Sequence, residues 1–203
     1  MSNKNESIDR RIVKSKKALR DAMLSLMRQK DFKEISITDI VKLADLNRGT
    51  FYKHYQYKED ILNEIVDDVI TDLIASYREP YKNKDTFEVS NLSSSAIKVF
   101  DHVNKYSNFY TLIVNSNVLT GFQNKICDVL RSLSLQDLID YSSNPNFNRE
   151  LAASYHSYAI FGMVIEWING GFKYSPSYMS EQLLDILSTN QASVIYKPSI
   201  ENK

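Results

Sequence analysis

Apolar residues recur at helical spacing along most of the chain. The first stripe covers residues 12–27 and follows the i, i+3, i+4, i+7 pattern of an amphipathic helix. Its apolar positions are Ile12, Leu19, Ala22, Met23 and Leu26. Further apolar periods predict helices over residues 58–77, 87–104, 109–114, 119–141, 148–169 and 176–187. Neither strand-like alternation nor an internal repeat is found, so the sequence predicts an all-α fold of about nine helices.

Two short helices separated by a tight turn are predicted between the first stripe and residue 58. Ser36 and Asp39 have the spacing of a capping box, with a hydroxyl N-cap and an acid three residues later. The pattern that follows stops at Asp45, and Asn47 can cap a very short helix over residues 48–53. Because only about three residues link these helices, they must cross at a steep angle, as in a helix-turn-helix.

The formal net charge of zero hides a strong asymmetry. Residues 1–58 contain 14 basic and 7 acidic residues, a net charge of +7, which leaves −7 on the remainder. A basic head on an acidic body indicates a polyanion partner for the head alone. A solvated charged helix explains the same charge pattern and remains the alternative.

Composition narrows the function classes. The chain has one cysteine, which excludes a disulfide framework within the chain and any multi-cysteine metal site. There is no apolar run long enough for a membrane span and no signal-peptide pattern, so a cytoplasmic protein is expected. No glycine-rich phosphate loop, zinc-protease motif or CxxC motif is present. We therefore predict no enzyme activity, no metal and no cofactor.

The segment over residues 37–62 carries the most functional information. It places Asn47, Arg48, Thr50, Tyr52 and His54 directly after the tight turn. Hydrogen-bond donors at the start and end of a short helix suit phosphate contacts, and its N-terminal face suits entry into a DNA major groove. A helical hairpin with exposed polar residues, serving protein interaction without any DNA role, is the alternative.

The sequence ITDIVKLADLNRGTFYKHYQYKEDIL resembles the helix-turn-helix of the TetR family of transcriptional regulators, over about residues 10–62. The stretch SYHSYAIFGMVIEWINGGFKYSPSYMSEQLLDIL is similar to a C-terminal domain of Gram-positive members. The family usually has glycine where this chain has Asp45. The resemblance implies a three-helix DNA-binding head over residues 1–57 and a helical-bundle body over residues 58–203 that forms the dimer.

The resemblance also implies roles for individual residues of the head. Arg48, Gly49 and Thr50 would face the major groove, with Arg48 reading guanine. Phosphates would be held by Thr38, Tyr52, His54 and Lys58, whereas Ser36 and Asn47 would cap helices and could touch the DNA backbone. Lys14 and Lys17 either hold phosphates or form a solvated face.

In the body, the resemblance implies a twofold interface and a ligand site. The predicted interface residues are Tyr155, Ala159, Gly162, Met163 and Trp167, for which an ordinary core is the alternative. The predicted pocket residues are Tyr77, Phe100, Tyr106, Phe109, Tyr110 and Phe122, each of which could instead be core. The function implied is a homodimeric repressor that binds an inverted-repeat operator in double-stranded DNA and is released by a small-molecule inducer. An activator, or a regulator controlled by a protein coregulator, is the alternative.

Overall fold

A computed structural model of the chain describes residues 2–82, 93–94, 97–115, 121–137 and 146–188. Within these ranges the secondary structure is helical, and two single 3-10 turns, Phe32–Glu34 and Glu79–Tyr81, accompany nine α-helices. The helices are α1 (Ser2–Met27), α2 (Ile37–Leu43), α3 (Arg48–Tyr52), α4 (Lys58–Arg78), α5 (Val99–Lys105), α6 (Ser107–Asn115), α7 (Phe122–Asp137), α8 (Arg149–Asn169) and α9 (Pro176–Ser188). The all-α prediction is confirmed. The predicted helices over 87–104 and 119–141 lie partly outside the described residues.

The head is built from α1, α2 and α3 around a small apolar core. Leu19 and Met23 of α1, Ile40 of α2 and Phe51 of α3 have no exposed surface. The predicted capping box at the start of α2 is present, because the Asp39 backbone N–H donates to Ser36 Oγ and the Ser36 backbone N–H donates to the Asp39 carboxylate. The short helices are thus fixed by caps and by burial of one face each.

The turn between α2 and α3 uses a left-handed residue. Asp45 has φ of 53°, the conformation that favours glycine. The backbone N–H of Leu46 donates to Val41 O at 2.8 Å, and that of Asp45 donates to Lys42 O at 3.3 Å. This is the Schellman pattern that ends a helix and reverses the chain. Asp45 therefore adopts the left-handed backbone conformation for which glycine is usually used at such a position.

The first part of α1 differs from its sequence prediction. The helix begins ten residues before the predicted start, at Ser2, and Ile12 is 40% exposed although it was assigned to the buried stripe. Residues 10–14 are all exposed, and burial along α1 begins at Leu19. The buried stripe of α1 is therefore shorter than the sequence predicts.

Helix α4 belongs to both halves of the molecule. Its buried face includes Ile61, Ile65, Val69 and Leu73, and it packs against α1 as well as against α5 and α7. At its start the Asp60 carboxylate accepts from the backbone N–H groups of the two residues before the helix. The body is completed by α5–α9, in which α7 and α8 form the most extensively packed pair. Within the described ranges no helix is both long and apolar enough to span a bilayer.

Candidate nucleic-acid interface

The start of α3 is exposed and held by one capping side chain. Asn47 Oδ1 accepts from the Thr50 backbone N–H at 2.8 Å and from Thr50 Oγ1 at 3.2 Å. Gly49 lies on the exposed side, where an added Cβ would stand 3.2 Å from Asn47 Oδ1. This crowding explains a small residue at the position. The helix therefore offers its first turn to solvent with a rigid backbone.

Arg48 is the exposed cation of this first turn. Its Nη2 donates to Thr38 Oγ1 of α2 at 2.5 Å, so the side chain is directed across the gap between the two helices. Thr38 is also exposed. Both residues lie on the surface that the sequence assigns to DNA, together with Asn47, Gly49 and the half-buried Thr50.

Tyrosines mark the other end of α3. Tyr52 is 58% exposed, and its ring meets the Phe51 ring edge-on at 5.4 Å between centroids. Tyr57, at the start of α4, is equally exposed and was not singled out by the sequence. An exposed phenol beside a predicted phosphate-contacting helix could have marked it, because tyrosine hydroxyls are common donors to phosphate.

His54 is less available than its sequence role implies. Its Nε2 lies 2.8 Å from Ser15 Oγ of α1, and the Ser15 hydroxyl is itself within reach of the Arg11 and Ile12 carbonyls. Burial lowers the pKa of His54, and the nearby Lys16 charge lowers that pKa further. A neutral, half-buried imidazole ties α1 to the end of α3, a link that the sequence did not indicate.

Lys58 is engaged inside the head. Its Nζ donates to Phe32 O at 2.6 Å, to Ile35 O at 2.8 Å and to Lys33 O at 3.3 Å. The same ammonium lies 4.5 Å from the centroid of the Phe32 ring. To hold a phosphate, it would have to leave these carbonyls.

Ser36 is likewise occupied by the capping box. Its Oγ lies 2.8 Å from Asp39 Oδ2, and the same carboxylate oxygen accepts from Lys30 Nζ at 2.8 Å. The hydrogen bond from Lys30 and those from Ser36 hold the pKa of Asp39 well below its usual range. The acid of α2 is therefore neutralised within the head, which limits its repulsion of a polyanion.

The predicted pocket aromatics differ in how deeply they are buried. Phe100, Phe109 and Tyr110 are at most 1% exposed, whereas Tyr77, Tyr106 and Phe122 are half-buried. Phe100 packs edge-on against Trp167, and Phe109 packs against Phe122. The surface cleft at the end of α4 is lined instead by Ala75, Arg78, Glu79, Lys82 and Asp137. The three fully buried rings lie in the core, which is the alternative that the sequence left open, and the pocket stays a prediction.

The predicted dimer residues divide into two groups. Tyr155 and Ala159 are exposed, and Gly162 and Met163 are half-buried, all on α8. Trp167 is only 2% exposed, and its Nε1 donates to Tyr174 O at 3.0 Å. It packs between Phe100 and Phe172 in its own chain, which agrees with the core alternative, and the interface stays a prediction. Leu151 and Tyr158, which the sequence did not single out, extend the exposed face of α8.

Two family models match the chain. Residues 19–65 match the model described as bacterial regulatory proteins, tetR family, and residues 90–189 match one described as transcriptional regulator C-terminal region. The first match covers the last third of α1, then α2, α3 and the start of α4. It therefore contains every residue that the sequence assigns to DNA contacts apart from Lys14 and Lys17.

Individual relatives agree with these matches. An uncharacterized HTH-type transcriptional regulator, YxbF, of Bacillus subtilis (strain 168) is 25% identical over 170 residues, which is 84% of this chain and 44% of the relative. The chain thus spans less than half the length of that curated relative. A TetR transcriptional regulator from Streptococcus agalactiae 2603V shares the fold, with a TM-score of 0.55 and 20% identity over 90% of this chain and 98% of the other. The dihydroxyacetone kinase operon activator DhaS does so with a TM-score of 0.56 and 20% identity, over 85% and 93% of the two chains.

Proposed function

Because the chain belongs to the TetR family of transcriptional regulators, and so to DNA-binding proteins rather than enzymes, we propose that it is a homodimeric repressor that reads an inverted-repeat operator. One observation carries the proposal. The first turn of α3 is exposed and capped, and it presents Arg48 beside the exposed Thr38 and Tyr52. This is the arrangement by which a recognition helix enters the major groove with its N-terminal residues.

The basic head supports the proposal electrostatically. Residues 10, 11, 14 and 17 on α1 are exposed lysines and arginines, and Lys42 and Lys53 are exposed near the recognition helix. Exposed cations on a small domain attract the phosphate backbone and release its counterions. Affinity for any DNA should therefore fall steeply with salt, whereas preference for one sequence depends on side chains at the helix start.

The exposed face of α8 supports the dimer. Leu151, Tyr155 and Tyr158 are 68%, 64% and 55% exposed and lie at i, i+4 and i+7, so they share one side of the helix. Large apolar residues in such a row mark a contact surface more often than a solvated face. A twofold axis through this surface makes two identical recognition helices, which requires an inverted repeat in the DNA.

Release by a small-molecule inducer is the part of the proposal that concerns the body. Phe100, Phe109 and Tyr110, three of the six predicted pocket residues, are buried in the core. This observation favours the second candidate, a TetR-type regulator controlled by a protein coregulator or acting as an activator. A metabolite screen by thermal shift, followed by operator titration with each hit, separates the two. A hit that weakens operator binding supports the inducer, whereas hits that leave it unchanged support the coregulator.

Selection of bound DNA from a random pool tests the proposal directly. We expect a motif with dyad symmetry, and we expect Arg48→Ala to cost about 1–3 kcal/mol of binding free energy and to relax base preference at one position in each half-site. Lys125→Ala is the matched control, because it removes an exposed charge from the body. A pool without an enriched motif, or a motif without symmetry, would contradict the proposal.

A further inference from the structure

Arg48 and Thr38 form a polar pair that joins α3 to α2 on the surface proposed to contact DNA. They lie ten residues apart, one at the first position of α3 and the other in the first turn of α2. The bond runs from Arg48 Nη2 to Thr38 Oγ1, and both side chains are exposed. The pair therefore bridges two elements and directs the guanidinium toward the start of α2.

No carboxylate competes for this guanidinium among the described residues. The ion pairs of the structure do not include Arg48, and the acid on α2, Asp39, is bound to Lys30 and to Ser36. The neutral Thr38 hydroxyl is thus the group that directs the side chain. A hydroxyl can orient a guanidinium without the desolvation and charge cancellation that a carboxylate brings.

The other polar side chains at the start of α3, Asn47 and Thr50, are hydrogen-bonded to each other. Asn47 Oδ1 accepts from both the backbone and the hydroxyl of Thr50, and Gly49 has no side chain. Arg48 has five N–H donors, of which one is used by Thr38. The four that remain are enough for the two hydrogen bonds that arginine makes with the O6 and N7 atoms of guanine.

We propose that Thr38 is a positioning residue that sets the base preference of Arg48, a role that rests on the proposed DNA-reading function. Bidentate recognition needs the planar guanidinium to lie in the plane of the base edge. A free arginine side chain samples many rotamers and must be ordered on binding, whereas a side chain held at Nη2 is ordered beforehand. Thr38 therefore acts on discrimination between bases, through Arg48.

This role differs from the phosphate contact that the sequence assigns to Thr38. A hydroxyl that only touches phosphate contributes to the affinity for every DNA sequence, because the backbone is the same throughout. A hydroxyl that orients Arg48 contributes mainly at the base pair that Arg48 reads. The two roles thus predict different changes in one measurable quantity, the ratio of affinities for the selected site and for a site changed at that base pair.

The test uses the full chain with Thr38→Val, Thr38→Ser and Arg48→Ala, alone and with Thr38→Val added to Arg48→Ala. Affinities are measured at one salt concentration for the selected operator and for the operator altered at the position that Arg48→Ala relaxes. We expect Thr38→Val to lower the affinity ratio about fivefold, at the lower end of what a bidentate arginine supplies. Thr38→Ser should keep the ratio, and Thr38→Val should change nothing further when Arg48 is alanine.

An equal loss of affinity for both operators in Thr38→Val would overturn the proposal in favour of a phosphate contact. Unchanged affinities for both operators would also overturn it. Thermal melting of each variant checks the fold, and Thr38→Ala replaces Thr38→Val if the exposed methyl group that replaces the hydroxyl disturbs α2. Failure of the proposed function itself looks different, because the wild-type chain would then select no motif at all.

Discussion

Lys58 shows most clearly how a single side chain can differ from its sequence assignment. The family resemblance assigns it to DNA phosphate, yet its ammonium donates to three carbonyls of the segment between α1 and α2. Those acceptors lie 23 to 26 residues earlier in the chain. Sequence spacing identifies a lysine at the start of α4, but it does not show which carbonyls fold back onto it.

Replacement of Lys58 should therefore affect stability before it affects binding. We expect Lys58→Ala to lower the free energy of unfolding by about 1–3 kcal/mol, because carbonyls bonded to a charged donor lose it. Urea titration measures the change, with the exposed Lys53→Ala as the control. A phosphate role would instead leave stability intact and reduce the salt dependence of DNA binding by about one ion per contact.

Asp45 tests the cost of a left-handed residue in the helix-turn-helix. At φ of 53° an alanine side chain is strained, whereas glycine is not. We expect Asp45→Ala to lower the free energy of unfolding by about 1 kcal/mol and Asp45→Gly to leave it unchanged or raise it. Equal melting temperatures for the two variants would show that the turn relaxes out of this conformation.

At the scale of elements, a buried polar cluster joins α4 to α5 and α6. The side chain of His102 has no exposed surface, and its Nδ1 lies 2.7 Å from Asp72 Oδ2 while its Nε2 lies 2.9 Å from the Tyr110 hydroxyl. A carboxylate can only accept, so the neutral ring donates from Nδ1 and accepts from Tyr110 at Nε2. Lys105 also donates to Asp72, and the Tyr106 ring lies against the His102 ring.

This cluster predicts a loss of stability in mild acid. Burial lowers the pKa of His102 from 6.5, and the hydrogen bond to Asp72 opposes that shift without cancelling it. The unfolded chain then binds a proton more readily than the folded chain. The free energy of unfolding therefore declines as the pH falls below about 6.5, and the decline ends once the pH is below the lowered pKa of His102 in the folded chain. We expect a contribution of at most about 1.4 kcal/mol per pH unit in that window.

Urea titrations at several pH values measure this contribution as the difference between the wild-type chain and His102→Gln. The exposed His156→Gln serves as the control and should follow the wild type. Because His54 also has a lowered pKa, the comparison of variants is needed, and the wild-type curve alone does not isolate His102. Parallel curves for the wild type and His102→Gln between pH 7 and pH 5 would contradict the prediction.

The starts of helices can be predicted from the sequence more readily than the burial of their side chains, for a physical reason. Caps such as Ser36, Asn47 and Asn148 act within three residues, so the starts of α2, α3 and α8 follow from local sequence. Burial depends on which element arrives from elsewhere. For this reason the exposure of Ile12 does not follow from the sequence, and the sequence leaves both an interface and a core position open for Trp167.

For the molecule as a whole, the proposed dimer is the property most open to a direct test. We expect Leu151→Glu combined with Tyr155→Glu to convert the chain to a monomer, because four carboxylates would face one another across the twofold axis in place of apolar contact. Light scattering at micromolar concentration measures the mass. Val13→Glu is the matched control, since it changes an equally exposed apolar residue on α1 and should leave the mass dimeric.

The ion pairs of α4 change partner partway along the helix. Glu64 and Asp68 bind Lys16 and Arg20 of α1, whereas Asp72 and Arg78 bind groups on α5 and α7. A chimera that gives this body a new DNA specificity must therefore exchange residues through Asp68 and keep those from Asp72 onward. The boundary between the two sets of ion pairs lies between Asp68 and Asp72, about one helical turn apart. A residue inserted or deleted there would rotate the head relative to the body by about 100°. A head can therefore be exchanged in this protein only if the helical register of α4 is kept, because a continuous helix and not a flexible linker joins head and body.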